Sequence, residues 1–251
     1  MVGRPLETDL LIRHNPRRVL ETRKLPQILA SIQPQLDELE TALSIQVPGR
    51  FSLLSSLRES LARQRGKRLR PSLVFLAGRS VGTPNGGHLR VAILTELLHA
   101  ASLIHDDIID SSDMRRGQPS LQNQWGNPIA VVFGDLLFSV SFGLTEPFQE
   151  PEVRKAVVEA TQAMCEGELL QHEFHKLKKT PTTAEYMEMV RLKTAALLSA
   201  CCRTGAILAG AEPAQVKALG RYGEDLGIAF QIVDDCLDLA GEEGKMGKSL
   251  G

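Results

Sequence analysis

Aromatic residues make up only 4% of the chain, and no stretch alternates apolar with polar residues convincingly enough to predict a strand. That shortage, beside plentiful Leu, Ala, Arg and Glu, favours helix over sheet. A charge surplus is missing as well: 29 basic against 30 acidic residues leave a formal net charge of -1. Such a balance excludes a general nucleic-acid binder, because nothing collects phosphates by electrostatics alone. No run reaches about 18 uninterrupted apolar residues, so no membrane span is visible. The first residues carry Arg4, Glu7 and Asp9 and lack the apolar core of a signal peptide. The cysteines Cys165, Cys201, Cys202 and Cys236 show no C-x-x-C spacing and sit in apolar helical contexts. Buried reduced thiols and a cytoplasmic location are expected from them.

What is present is helical periodicity along most of the chain. Residues 1 to about 24 are basic and irregular, but Leu29, Ile32, Leu36, Leu39 and Leu43 recur at steps of three and four up to Pro48-Gly49. Pro34 either kinks that stretch or marks its start. Further helices fit 51–64, Pro71 to about Ser80, 88–110, 128–145, 151–177, 183–210 and 213–240. The expectation is one all-α domain over residues 1–251.

Two copies of an acidic motif stand inside these helices: Asp106-Asp107-Ile108-Ile109-Asp110 and Asp234-Asp235-Cys236-Leu237-Asp238. The first and last aspartates of each copy lie one turn apart on one helix face. Like charges at that spacing cost about 0.2–0.5 kcal/mol per pair, so a cation between the carboxylates is the simplest reason to keep them. Mg²⁺ is the best candidate, because it takes one or two carboxylates and completes its octahedron with water and phosphate oxygen. A solvated acidic face is the alternative for either copy alone. It is weakened by Leu103, Ile104, Ile108 and Ile109 around the first motif and Phe230, Ile232, Val233 and Leu237 around the second, which read as core neighbours. Basic residues complement the acids: Lys67 and Arg70 flank a helix start, Arg115-Arg116-Gly117 follows the first motif, and Lys193-Thr194 lies in a long helix. Together they are able to grip two anionic groups, as diphosphate chemistry requires.

These elements resemble, in order, the trans-type polyprenyl diphosphate synthases. The resemblance is carried by Gly66-Lys67-Arg68-Leu69-Arg70-Pro71, Leu98-His99 through Asp110, Arg115-Arg116-Gly117, Gly134-Asp135, Gly167-Glu168, Lys193-Thr194 and Phe230-Gln231 through Asp238, from about residue 50 onward. It implies an isoprenoid-synthase helical bundle around a central cavity and the condensation of isopentenyl diphosphate with an allylic prenyl diphosphate. It also implies three Mg²⁺ ions held by Asp106, Asp110 and Asp234, with Asp107, Asp235 and Asp238 in support. By the same resemblance Arg115, Lys193, Thr194, Gln231 and Lys248 hold the allylic diphosphate, and Lys67, Arg70, His99 and Arg116 hold isopentenyl diphosphate. Asp106, Asp110, Asp234, Lys193 and Gln231 are the implied catalytic set, and a homodimer is expected, with the 128–145 helix able to supply its contact.

Ionising the allylic diphosphate would leave a carbocation that the isopentenyl double bond attacks, with the departing diphosphate taking the proton. One turn below Asp106 stand Ala101 and Ser102, where short-chain members carry bulky aromatics, so a product of twenty carbons or more is expected. After Gly247-Lys248 the family continues into further helices, which this chain is expected to lack. Three rivals differ in class. A non-catalytic subunit of a paired enzyme would usually lose one acidic motif. A class I terpene cyclase has no use for Lys67, Arg70 and His99, and a His-Asp phosphohydrolase built on His105-Asp106 leaves the second motif idle.

Overall fold

The computed structural model describes residues 25–47, 49–64 and 66–240. Two compact units share the chain, Met1–Ser31 and Ile32–Gly251. In the first, α1 spans Leu25–Leu29, and the Ser31 hydroxyl donates to the Ile28 carbonyl at 2.9 Å. A 3₁₀ turn, Ala30–Ile32, then precedes α2, Gln33–Gln46, with Pro34 in its first turn. Pro34 therefore starts a helix, as expected of a residue whose missing N–H would be unpaired there anyway.

The second unit continues with α3 (Ser52–Arg63), α4 (Leu69–Val81) and the 24-residue α5 (Gly86–Ile109). Asn85 caps α5: its side chain accepts from Gly87 N at 2.9 Å, while its own N–H donates to His88 Nδ1 at 3.0 Å. The other imidazole nitrogen donates to the Gly205 carbonyl, tying the start of α5 to a distant helix. After α5 the chain reverses through a two-stranded antiparallel ribbon, Met114–Arg115 with Gln118–Pro119. Its loop residues Arg116 and Gly117 have φ of 51° and 73°, as a two-residue hairpin turn requires. Such a ribbon is too short to leave an alternating pattern, which is why the sequence does not announce it.

There follow α6 (Leu121–Trp125), α7 (Asn127–Gly143), α8 (Pro151–Leu177) and α9 (Thr183–Val190). The single helix expected over 183–210 is interrupted. A π-helical turn, Arg191–Ala195, separates α9 from α10 (Ala196–Leu208), and α11 runs from Pro213 to Ala240. Among the described residues no helix is long and apolar enough to cross a membrane.

Helices α4, α5, α8 and α10 build the core. One cluster joins Leu73 and Val74 of α4, Val91 of α5, Val153 of α8, and Leu198 with Cys201 and Cys202 of α10. A second, nearer the acidic end of α5, joins Leu94 and Leu98 to Val157, Ala160 and Met164 of α8 and Leu197 of α10. Only Cys201 and Cys202 are the buried thiols expected; Cys165 of α8 and Cys236 of α11 are exposed. Helical periodicity placed all four in apolar surroundings but did not say which face turned inward.

Candidate active site

Beside the second cluster lies a cavity of about 360 Å³ walled by α4, α5, α8, the π turn, α10 and α11, with Arg115 and Arg116 of the ribbon closing one side. From α4 comes Arg70, and from α5 come His99, Ser102, Leu103 and Asp106. Met164 and Glu168 enter from α8, Lys193 and Thr194 from the π turn, Leu197 from α10, and Phe230, Gln231 and Asp234 from α11. Ten of the residues singled out from sequence thus share one wall. Lys67 is exposed on the loop before α4 and lies outside the lining, as do Asp107, Asp110, Ala101, Asp235 and Asp238. Lys248 falls outside the described residues.

Local geometry explains several placements. A Cβ on Gly167 would stand 2.4 Å from Lys193 N, and one on Gly227 would stand 2.5 Å from Ala195 Cα. Glycine at both positions lets α8 and α11 close on the π turn from two sides. The turn, with its wider hydrogen-bond ring, directs Lys193 and Thr194 into the cavity. There Lys193 Nζ pairs with Glu168 Oε2 at 2.5 Å and donates to Gln171 Oε1 at 3.0 Å. Gly66 serves Arg116 similarly: a Cβ there would meet the guanidinium at 2.8 Å, and Arg116 Nη1 donates to the Gln64 carbonyl.

Consecutive residues of a helix point about 100° apart, so the two aspartates of each pair cannot face the same way. Asp106 looks into the cavity, whereas Asp107 is 3% exposed and held by Arg115, whose Nε donates to Oδ1 at 2.8 Å and whose Nη2 contacts the same oxygen. That pair borders a second, smaller cavity of about 110 Å³ between α2, α3 and α5. In the other motif Asp234 lines the main cavity and Asp235 is engaged elsewhere: Oδ2 accepts from the Tyr186 hydroxyl at 2.5 Å and Oδ1 from Gln231 Nε2 at 2.8 Å. Tyr186 carries no signal in the sequence that would mark it as part of the site. Glu168 stood in a recognised motif, yet its pairing with Lys193 was not legible.

Electrostatics follow from burial. Desolvation pushes the Asp106 carboxyl up to about 7; Lys193 opposes the rise, Glu168 and Asp110 add to it, and Arg115 opposes it. Burial also raises Asp107, against the pull of Arg115. His99 is held well below the usual imidazole range, first by desolvation and then by Arg70, Arg116, Arg115 and Arg68. It is therefore a neutral hydrogen-bonding group among cations. The Nε of Arg70 is buried with no hydrogen-bond partner, so a donor in the cavity is left for a ligand to satisfy.

Oxygen donors crowded in a desolvated cavity suit a hard divalent cation. Among the described residues no three His, Cys, Asp or Glu side chains converge on one point. The carboxylates that do line the cavity, Asp106, Glu168 and Asp234, are hard donors of the kind a divalent cation takes.

The pattern of the Polyprenyl synthetase family matches residues 52–251. The chain is 42% identical over 197 residues to a short chain isoprenyl diphosphate synthase from Methanothermobacter thermautotrophicus, covering 77% of this chain and 60% of that protein. It is 35% identical to octaprenyl diphosphate synthase from Escherichia coli over 85% of this chain and 66% of the relative. Among solved structures, a polyprenyl synthase from Caulobacter crescentus complexed with calcium and isoprenyl diphosphate matches with a TM-score of 0.85 at 32% identity, over 91% of this chain and 69% of that one. This chain belongs to the polyprenyl synthetase family and has its all-α fold. It spans about three fifths of the length of the first of these relatives.

Proposed function

We propose that the chain, acting as one polyprenyl synthase domain, condenses isopentenyl diphosphate with an allylic prenyl diphosphate to form a longer all-trans prenyl diphosphate. The observation that carries this reading is the single cavity in which Arg70, His99 and Arg116 stand with Asp106, Lys193, Thr194, Gln231 and Asp234. One anion needs only the first set; the second set is what an additional diphosphate with metal would use.

Arg70 and Arg116 bind the isopentenyl diphosphate, with neutral His99 as a directional partner. Lys193, Thr194 and Gln231 bind the allylic diphosphate, with Arg115 at the rim. Asp106 and Asp234, with Asp110 at the end of α5, are the residues to hold Mg²⁺. When bound, Mg²⁺ neutralises charge that builds on the leaving diphosphate, a stabilisation larger in the transition state than in the substrate. Lys193 adds a fixed cation on the same side. Leu103, Met164 and Leu197 make an apolar floor that keeps water from the allylic cation.

Chain length follows from that floor. Ser102 is on the wall, Ala101 is wholly buried, and Met164, Leu197 and Leu98 pack beneath. The position one turn below Asp106 holds no aromatic side chain, and although Phe138 packs against the cluster beneath, a growing tail has mainly aliphatics to displace. The product is twenty carbons or longer. The active form is a homodimer, with exposed Val131 and Val132 of α7 available for its contact.

The test is incubation with Mg²⁺, isopentenyl diphosphate and allylic primers of ten, fifteen and twenty carbons, with products resolved by mass. Exclusive release of a fifteen-carbon product would refute the length assignment. Failure to turn over any primer, with the fold intact, would refute the activity.

A further inference from the structure

Three hydrogen bonds run in series from α9 to the cavity. The Tyr186 hydroxyl donates to Asp235 Oδ2 at 2.5 Å, Gln231 Nε2 donates to Asp235 Oδ1 at 2.8 Å, and Thr194 Oγ1 donates to Gln231 Oε1 at 2.8 Å. The order is chemically directed. A carboxylate only accepts, so the end of the Gln231 amide that faces Asp235 must be its NH₂, and the carbonyl end is left to Thr194. One N–H of Nε2 is used by Asp235. The other is available to the cavity that Gln231 lines. Were Asp235 to swing away, the amide would lose what distinguishes its two ends, and a flip would present an oxygen to an anionic ligand.

Asp235 is held by a residue far away in sequence. Tyr186 is half-buried on α9, the helix that leads into the π turn, and its phenol holds Asp235, which stands one turn beyond Gln231 and outside the lining. The neighbouring Asp234 is the carboxylate of the pair that lines the cavity. We propose that Tyr186 is a positioning residue: acting through Asp235, it fixes the Gln231 amide in the orientation that offers an N–H to a diphosphate oxygen. The inference rests on reading the cavity as a diphosphate site, and the experiment separates the two claims.

The full chain, Tyr186→Phe, Asp235→Ala and the double variant are titrated with inorganic diphosphate in Mg²⁺ by calorimetry, with melting curves as controls for folding. The side-chain amide resonance of Gln231 is followed by NMR and assigned by its loss in Gln231→Met. Tyr186→Phe is expected to weaken diphosphate binding about tenfold, the size of one charge-assisted hydrogen bond. Asp235→Ala weakens it at least as much, and adding Tyr186→Phe to Asp235→Ala weakens it no further, because the tyrosine has nothing left to act through. Unchanged binding in Tyr186→Phe overturns the proposal, as do independent, multiplying losses in the double variant. If the unaltered chain binds no diphosphate, the cavity reading fails, while the Gln231 resonance still tests the clasp: it must shift in Tyr186→Phe, and a resonance that stays put overturns it. Should Tyr186→Phe lose its cooperative melt, Tyr186→Met, which also lacks the hydroxyl, takes its place, and a Gln231 resonance that stays put there overturns the proposal.

Discussion

On α5 the acidic motif grows out of the core, with Ile104 4% exposed and Leu98 fully buried behind it, though Ile109, expected to be core, is 48% exposed at the helix end. On α11 the neighbours expected to be core, Phe230, Val233 and Leu237, are 49, 58 and 51% exposed. The same spacing of aspartates is therefore mounted on a packed helix in one case and on a helix with an open apolar face in the other. The pairs nevertheless solve one problem alike. In each, the first aspartate faces the cavity and the second is a clasp, to the guanidinium of Arg115 in the first motif and to the phenol of Tyr186 in the second. The cationic clasp is the stronger. Asp107 is nearly dry, and removing its partner would strand a buried charge, whereas Asp235 is only half-buried and leaves no dry charge behind when Tyr186 is lost.

The sharpest break of the comparison is chemical. Asp106→Ala and Asp234→Ala should each lower turnover by about a hundredfold or more if both motifs address one leaving group. A near-normal rate in either, in the primer assay, would leave only one motif in the chemistry. Next comes the asymmetry of the clasps: Arg115→Ala should cost about 3–5 kcal/mol of unfolding free energy by denaturant titration, the usual penalty for orphaning a buried charge. Tyr186→Phe should cost about 1 kcal/mol by the same measurement. Equal losses would erase the difference drawn between the motifs.

Packing should differ in the same sense. Ile104→Ala is expected to lose about 2–5 kcal/mol, since it opens a cavity in the core. Val233→Ala on the open face of α11 should stay within about 0.5 kcal/mol. A comparable loss at Val233 would mean that this face is covered in solution. The smallest effect is on pH. The folded chain resists protonating His99, whose ordinary value is 6.5, while the unfolded chain does not. Stability contributed there is present above about pH 6.5 and is lost as pH falls below it, because the unfolded state then takes up the extra proton. His99→Gln should flatten part of that decline in melting temperature; an unaltered slope would place the titration elsewhere.

Helix positions were largely legible because α3, α5, α8 and α11 each repeat apolar residues at the period of the helix. What the period cannot give is rotation. Asp107 and Asp235 were expected only to support the metal holders, and the period could not name Arg115 or Tyr186 as what each would touch instead. It also could not show the π turn, because Arg191 to Ala195 read as uninterrupted helix; the break is tied to glycines on two other helices. The open face of α11 was misread for a related reason. Apolar residues around an acidic cluster look like core whether or not something is packed against them.

Gly167 and Gly227 carry one more implication. With a Cβ barred on both sides of Arg191–Ala195, the spacing between α8 and α11 is gauged by backbone alone. Any attempt to widen the cavity by enlarging side chains between these helices would shift the lysine before it enlarged the hole. The volume of the cavity is then adjustable from the floor, at Met164 and Leu197 with Leu98 packed beneath, and not from the waist.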